Sequence, residues 1–370
     1  MSDPGTLRIG TFPYDTTRAL FDGSVTLDGQ AATFTSARTL PEIFRGLTRA
    51  DGYDIAEFGL TFYLRSLDEG VPFTAVPAFP NRVFRHSCVF VHRDSGITGP
   101  EDLVDRTIGE FGVYGQDSGV WAKGILMDEY GFRPQRNRWV IGGLDTPDAP
   151  FDFVRQVRPA GVDIRDAPAG RSLSGMLRAG EIDALFTANV PQPVLDGAPE
   201  IVRLFPDHEE RERDYHRRTG IFPIMHTVVA PRELLDARPG LATRVYNAFL
   251  RAKDAAADRY RQGRRLYEVH SMVPWTAALV ERNRAQFAED WFPYGVSANR
   301  SALDTYLRYH HEQGLSAAPD GGGTVPPGTA GHLITGEHVM GPEERSGPCR
   351  TEVPRACGRR CVSRSAFPST

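Results

Sequence analysis

Two histidines and one glutamate are the side chains of this sequence best suited to moving a proton. His86 and His226 each stand just before an apolar, β-rich run, and an imidazole can both accept and release a proton near neutral pH. Glu57 interrupts the apolar segment 54–60, where a buried carboxylate is costly unless it is paired. Glu57 is therefore expected to pair with an arginine or to take part in proton transfer. The sequence predicts His226, His86 and Glu57 as catalytic residues, with structural core histidines as the alternative.

Three arginines are candidates for binding an anion. Arg82 and Arg85 directly precede the apolar run that begins after His86, and Arg18 follows the first predicted strand, where a loop would open on a cleft. A guanidinium can bind a carboxylate through two parallel hydrogen bonds. The alternatives are a solvated face or an ion pair with a nearby acid and, for Arg18, packing at a helix N-terminus.

Other candidate ligand-binding residues lie where predicted strands end. Ser118 begins a predicted helix, Ser118–Tyr130, after the strand Thr107–Phe111, and the free backbone N–H groups there can bind an anion. Trp121 of the same helix could stack on an aromatic ring or fill the core. Asn189 follows the predicted strand Ile182–Phe186 and could donate to a carboxylate or a phenol, or serve only as a turn residue.

Strand and helix patterns alternate through the first two thirds of the chain, and the last third is nearly all helical. This alternation predicts an α/β fold with mainly parallel sheets covered on both faces. Locally, the sequence also predicts a hairpin within Thr26–Thr35 across Asp28-Gly29, and a helix from Pro100 to Val104.

Two β-rich stretches, Phe84–Val91 and Phe222–Val229, have the pattern of connections between two lobes. They divide the chain into a discontinuous lobe 1, residues 1–86 and 225–315, and a lobe 2, residues 87–224, with a ligand cleft between them. Residues 316–370 are rich in Gly, Pro and Arg without apolar periodicity, so we expect a disordered tail.

The composition excludes several classes of function. The chain has 370 residues, 43 Lys and Arg against 47 Asp and Glu, a net charge of −4, and no apolar run of transmembrane length. This balance gives no electrostatic reason to expect nucleic acid or a membrane as the partner. The N-terminus has no signal-peptide pattern, which predicts a cytoplasmic protein. Three of the four cysteines, Cys349, Cys357 and Cys361, lie in the predicted tail at spacings poorly suited to zinc, even with His338 nearby.

The whole body of the chain resembles the 4,5-dihydroxyphthalate decarboxylase family, whose members resemble type II periplasmic binding proteins in fold. The segments that carry this resemblance are YDTTRAL (14–20), YDIAEFGL (53–60), NRVFRHS (81–87), VWAKGILMDEYG (120–131), GEIDALF (180–186), GIFPIMHTVV (220–229) and FPYGVSANR (292–300). GEIDALF alone is weak, whereas GIFPIMHTVV and FPYGVSANR in this order are far more specific.

The resemblance implies a carboxy-lyase acting on a hydroxylated aromatic dicarboxylate. It also implies a cofactor-independent reaction in which a proton is delivered to the ring carbon that bears the carboxylate. The sequence agrees in having neither a Gly-rich dinucleotide loop nor a Schiff-base motif. The resemblance places Lys123 among the expected substrate-binding residues, at a position where family members usually carry an arginine. The preceding loop reads Gly115-Gln116-Asp117-Ser118 where a threonine is expected. Lys123 and Trp121 are about 200° apart on a helix, so both cannot face one ligand outside a distorted first turn.

Several alternatives stay open at this level. A different lyase or hydrolase on the same scaffold, or a cytosolic protein that only binds an anion, would share much of this pattern. A metal is not required by any ligand spacing, although His86, Glu57 and His226 could converge on one. Whether the chain forms a homo-oligomer, and which ring pattern it recognises beyond a small aromatic carboxylate, cannot be read from the sequence.

Overall fold

The computed structural model describes residues 5–49, 52–267, 271–287 and 290–316. Apart from Ser316, the predicted disordered tail lies outside these residues, as do Cys349, Cys357, Cys361 and His338. Within the described ranges, no helix has the length and apolar character needed to cross a membrane.

The strands form two separate sheets. The first sheet has the order β2-β1-β3-β11-β4 and the second the order β10-β5-β9-β6-β7-β8. The strands are β1 (Leu7–Gly10), β2 (Ala32–Thr35), β3 (Ile55–Gly59), β4 (Phe73–Val76), β5 (Val89–His92), β6 (Thr107–Phe111), β7 (Arg138–Gly142), β8 (Asp163–Asp166), β9 (Ala184–Phe186), β10 (Ile201–Arg203) and β11 (His226–Pro231).

Helices of very different lengths connect and cover these strands. They are α1 (Arg18–Phe21), α2 (Leu40–Leu47), α3 (Leu60–Asp68), α4 (Asp117–Tyr130), α5 (Leu173–Arg178), α6 (Gln192–Leu195), α7 (His208–Thr219), α8 (Arg232–Ala237), α9 (Leu241–Arg265), α10 (Thr276–Phe287) and α11 (Arg300–Glu312). The part described after β11 contains only helices and loops, as predicted. The α/β class predicted from the sequence is confirmed.

The sheets are mixed rather than mainly parallel. The parallel pairs join β1 to β2 and β3, β6 to β7 and β9, and β7 to β8. The antiparallel strands are β5 and β11, which follow the two predicted connections between lobes. Each of these strands enters its sheet against the direction of its neighbours because the chain arrives there from the other sheet.

The two connections touch each other between the sheets. Arg82 and Ile224 form an isolated antiparallel bridge, and the N–H of Val83 donates to the carbonyl of Pro223 at 3.2 Å. The chain thus leaves the first sheet after β4, builds the second sheet, and returns to place β11 between β3 and β4. The exact lobe boundaries proposed from the sequence stay a prediction.

Two local predictions are wrong. Residues 26–31 form turns and coil, and β2 pairs in parallel with β1, so no hairpin exists across Asp28-Gly29. Only Pro100–Asp102 is helical in the segment predicted as a helix from Pro100, and it is a single 3-10 turn closed by the side chain of Asp102. In both places the local pattern was short, and the neighbouring strands decided the conformation instead.

Candidate functional site

A cavity of about 740 Å³ lies between the two sheets and is lined from both sides. The first side contributes the loop after β1, the helix α2, the start of α3 and the first residue of β11. The second side contributes the loops that follow β6, β7 and β9, and Arg85 comes from the connection between the sheets. We call this space the cleft cavity. A smaller cavity of about 340 Å³ between α9 and α10 has neither His226 nor Arg85 in its wall.

His226 and Glu57 form a hydrogen-bonded pair beside the cleft cavity. The Nδ1 atom of His226 lies 2.6 Å from Oε1 of Glu57, whose side chain is fully buried in β3. The strands β3 and β11 are antiparallel neighbours, which brings these residues together from 169 positions apart in the chain. His226 is itself on the cavity wall, whereas Glu57 lies behind it.

The other bonds of Glu57 fix its role as an acceptor. Thr11 Oγ1 and Tyr14 Oη each donate to it at 2.8 Å, and the N–H of Phe12 donates at 3.0 Å. Tyr14 accepts a hydrogen bond from Asn81 Nδ2, so its own hydrogen points to Glu57. Burial raises the pKa of Tyr14, which keeps that hydrogen in place. With these donors around it, Glu57 accepts the Nδ1 hydrogen of His226, and Nε2 becomes the ring atom that can exchange a proton with a ligand.

Arg85 carries a buried charge into the cavity wall. Its side chain is 6% exposed, its Nε lies 3.1 Å from the sulfur of Met225, and its Nη1 lies 3.5 Å from the carbonyl of Ala188. Among the described residues, no carboxylate lies within 4.0 Å of its guanidinium nitrogens. Burial lowers the pKa of Arg85, so an anion in the cavity would stabilise its charged form.

Asp117, the first residue of α4, is a further acid in the cavity wall. Its Oδ1 accepts hydrogen bonds from the backbone N–H of Thr61 at 2.7 Å and from Tyr306 Oη at 2.8 Å. Burial raises the pKa of this carboxyl group. Asp117 therefore joins α3, α4 and α11 at the point where they meet the cavity.

Ser118 and Asn189, both predicted as ligand-binding residues, also line the cleft cavity. Ser118 is 1% exposed and lies at the second position of α4, whereas Asn189 is exposed on the loop after β9. Together with His226 and Arg85, four of the predicted site residues line the cleft cavity, and a fifth, Glu57, is hydrogen-bonded to His226 behind it.

His86 lies elsewhere, in the core beneath α7. Its ring packs against Phe205 and Tyr215, and its Nε2 lies 3.9 Å from a carboxylate oxygen of Glu129. His86 is absent from the cavity wall, so its predicted catalytic role finds no support in this placement. Within the described residues, no group of three or more His, Cys, Asp or Glu side chains is arranged to hold a metal ion, so His86, Glu57 and His226 do not converge.

Arg82 and Arg18 are also outside the cavity wall. The guanidinium of Arg82 donates to the carbonyl oxygens of Phe222 and Pro293 and to Oδ1 of Asn299. Its hydrogen bonds are thus used to fasten the two connections to the segment that precedes α11. Arg18 is exposed at the start of α1. The structure gives both residues a place other than the predicted substrate-binding one.

Trp121 and Lys123 face the interior of the protein rather than a ligand. The indole Nε1 of Trp121 donates to the carbonyl of Ile224 at 2.8 Å, so this side chain ties α4 to the second connection. Lys123 Nζ lies 2.6 Å from Glu110 and 4.0 Å from the ring centroid of Tyr114, fully buried. The lysine at this position is paired internally, and both residues belong to the core.

Sequence reasoning missed Tyr14, Gln116 and Asp117 as residues of the site. Each follows the carboxyl end of a strand, β1 or β6, within six residues, which is where ligands bind in α/β sheets. That positional rule could have selected them. Residue type alone could not have selected them, because the same loops contain other polar residues that do not line the cleft cavity.

Comparison with known proteins identifies the family. The chain is 33% identical over 312 residues to a 4,5-dihydroxyphthalate decarboxylase of Comamonas testosteroni, covering 84% of this chain and 93% of that protein. It is also 33% identical over 212 residues to a 4,5-dihydroxyphthalate decarboxylase of Pseudomonas putida, covering 57% and 81% respectively. The chain belongs to the 4,5-dihydroxyphthalate decarboxylase family. Membership in this family confirms the predicted enzyme class, a carboxy-lyase. No family model matches the chain.

Two solved structures are similar to this chain over most of its length, at low sequence identity. The aliphatic sulphonate binding protein SsuA of Escherichia coli has a TM-score of 0.48 and 12% identity, covering 85% of this chain and 95% of that one. The desulfurization enzyme DSZB has a TM-score of 0.47 and 16% identity, covering 90% and 97%. Overlaps at this level assign neither activity nor ligand to this chain.

Proposed function

We propose that this protein removes one carboxyl group from a hydroxylated aromatic dicarboxylate such as 4,5-dihydroxyphthalate, with His226 as the proton donor. The observation that carries the proposal is the 2.6 Å pair of His226 and buried Glu57 on the wall of a cavity that also contains Arg85. Decarboxylation of an aryl carboxylate by protonation of its ring carbon requires a proton donor and a cation that face one space.

The proposed reaction balances without a redox partner. A hydroxyl para to the leaving carboxylate gives up its proton to solvent and donates electrons into the ring. The ring carbon that bears the carboxylate then takes a proton from Nε2 of His226. The bond to the carboxylate breaks, its electron pair restores the aromatic ring, and carbon dioxide leaves. The phenolate of the product and Nε2 of His226 each take up one proton from solvent. Overall, one carboxylate and one proton become one aryl C–H bond and one molecule of carbon dioxide.

Glu57 supports this step by staying in place. It accepts the Nδ1 hydrogen of His226, which leaves Nε2 as the ring atom that donates the proton. Its three other donors prevent it from rotating away. Arg85 binds a carboxylate of the substrate, and the aromatic rings of Phe12, Phe62 and Phe111 in the wall contact the ring and exclude water.

The experiment is mass spectrometry of 4,5-dihydroxyphthalate incubated with the purified protein in D2O, with and without a chelator. We expect 3,4-dihydroxybenzoate carrying one deuterium on the ring. His226→Gln should lower kcat about 10²- to 10⁴-fold, the usual contribution of a positioned acid. His92→Gln, a histidine at the end of β5 outside the cavity wall, is the matched control.

Two results would contradict the proposal. Unchanged turnover in His226→Gln with a normal melting temperature would remove His226 from the mechanism. Intact substrate after incubation with the folded wild-type protein would remove the proposed substrate. The chelator arm tests separately whether turnover depends on a metal ion.

A further inference from the structure

The first turn of α4 opens on the cleft cavity without a side-chain cap of its own. Its N-cap residue, Gln116, makes no capping hydrogen bond. Val120 is the first residue of this turn whose backbone N–H makes a helical hydrogen bond, and it donates to the carbonyl of Gln116 at 2.8 Å. The amides of residues 117–119 precede that bond, and such groups at the start of a helix attract negative charge.

Asp117 could have capped this turn but serves a different helix. Its Oδ1 accepts the N–H of Thr61, the second residue of α3, and the hydroxyl of Tyr306 on α11. These two bonds hold that oxygen toward α3 and α11.

Two polar side chains at the same turn are buried without a partner. Nε2 of Gln116 and Oγ of Ser118 have no hydrogen-bond partner among the described residues, and the two side chains are 6% and 1% exposed. Both residues line the cleft cavity. Leaving a buried donor unpaired costs free energy, so a ligand that accepts from both would recover that cost.

We propose that the first turn of α4, with Gln116 and Ser118, is a second carboxylate subsite, so that the cavity binds an aromatic dicarboxylate at two points. The first point is Arg85, which lies close enough to Asp117 for their charges to interact. Two adjacent carboxylates on one ring fit two adjacent anion subsites, and a monocarboxylate fills only one of them. This inference rests on the proposed function, because it assumes that the cavity takes an aromatic acid.

Binding of the substrate at two points also bears on the release of the product. The substrate has two carboxylates and the product one, so each turnover removes one of the two anchoring groups. The product is then held at one point only, and its affinity falls relative to the substrate. If substrate and product bound with equal affinity, product release would be slower.

The test is calorimetric binding of phthalate and benzoate to the full-length protein. Neither ligand has a ring hydroxyl, so neither undergoes the proposed chemistry, and binding is measured separately from turnover. We expect wild type to bind phthalate about tenfold more tightly than benzoate, the usual effect of hydrogen bonds to a charged group. Ser118→Ala should remove most of this preference, and Gln116→Glu, which places a negative charge at the turn, should reverse it.

Ser174→Ala is the matched control, because Ser174 is the buried second residue of α5 and lies outside the cavity wall. It should keep the wild-type preference. Two results would overturn the subsite: equal affinities of the wild type for the two ligands, or an unchanged preference in both variants at a normal melting temperature. If 4,5-dihydroxyphthalate is still decarboxylated, the proposed function is unaffected by either result. Failure of both ligands to bind, together with no turnover, would overturn the subsite and the proposed function together.

Discussion

Arg85 and the carboxylate it is proposed to bind show why the type of cation matters at a single position. The fork of a guanidinium matches the two oxygens of a carboxylate, whereas an ammonium offers only a point charge. Among the described residues, Arg85 has only a thioether and a carbonyl at 3.5 Å as partners, so its remaining N–H groups are available to a ligand in the cavity. We expect Arg85→Lys to raise the KM for 4,5-dihydroxyphthalate about tenfold or more, measured by steady-state kinetics. An unchanged KM in a folded variant would make Arg85 a structural residue.

Asp117 leads to a pH-dependent prediction of stability. Burial raises the pKa of its carboxyl above that of an unfolded aspartate, which titrates near ~3.9. Between these two pKa values the native state binds more protons than the unfolded state, so the free energy of unfolding falls as pH rises. Asp117→Asn keeps an oxygen for Thr61 and Tyr306 but cannot ionise.

We therefore expect the stability of Asp117→Asn relative to wild type to increase as pH rises from about 4 and to level off above the folded pKa. Urea denaturation at a series of pH values measures this difference. Asp236→Asn, a substitution on the exposed surface of α8, is the control and should show no such trend. A relative stability that falls with increasing pH would contradict the assignment.

At the level of elements, the antiparallel pairing of β3 with β11 positions the hydrogen-bonded pair of His226 and Glu57. His226 pairs with Gly59 in the register of these strands. A Cβ atom at Gly59 would lie 2.4 Å from Oδ2 of Asp117 and 2.6 Å from the ring of Phe62, so a side chain there must displace residues of the cavity wall. Glycine at this position is what allows Asp117 and His226 to approach the same sheet edge.

We expect Gly59→Ala to lower kcat/KM by about 10²-fold, because small displacements of positioned groups have large kinetic effects. Gly109→Ala in β6 is a matched control, since its Cβ would meet the side chain of Ile182 at 2.8 Å, away from the cavity wall. It should lower the melting temperature while the folded enzyme keeps its kinetic constants. Equal kinetic effects of the two substitutions would show that stability, rather than the position of Asp117, explains the loss.

At the level of the whole molecule, Arg82 fastens the two connections between the sheets. It bridges backbone carbonyls of the second connection and of the segment before α11, and it stacks near Phe292 with its charge 5.4 Å from the ring centroid. Burial lowers the pKa of this guanidinium to about 10, and it is still charged at neutral pH. Removing it would take away the donor of the Phe222 carbonyl and of Asn299 Oδ1, whereas the Pro293 carbonyl would keep its bond from Asn299 Nδ2.

We expect Arg82→Met to lower the free energy of unfolding by about 2–4 kcal/mol, measured by denaturant titration. The KM of the remaining folded enzyme should change much less than in Arg85→Lys. Arg18→Met, at an exposed position of α1, is the control for both and should change neither stability nor KM. A large KM effect of Arg82→Met without a loss of stability would return Arg82 to the substrate site.

The sequence by itself determined the fold class, the family and the chemical types present. Periodic apolar patterns predict strands and helices because each element must bury one face, and this succeeded for the long helix α4 and for the nearly all-helical last third of the chain. It failed for the hairpin across Asp28-Gly29 and for the helix at Pro100, where short segments take their conformation from neighbouring strands.

Only the tertiary structure decided which candidates share one site. Arg82 and Arg85 are three positions apart, yet one binds backbone carbonyls and the other faces the cavity. His86 and His226 both precede an apolar strand, yet only His226 meets Glu57. The strand that begins with His226, β11, pairs with β3, whereas β5, which follows His86, belongs to the other sheet. Position along the chain says which residues are near in sequence, whereas strand order and the direction of each side chain decide which of them meet in space.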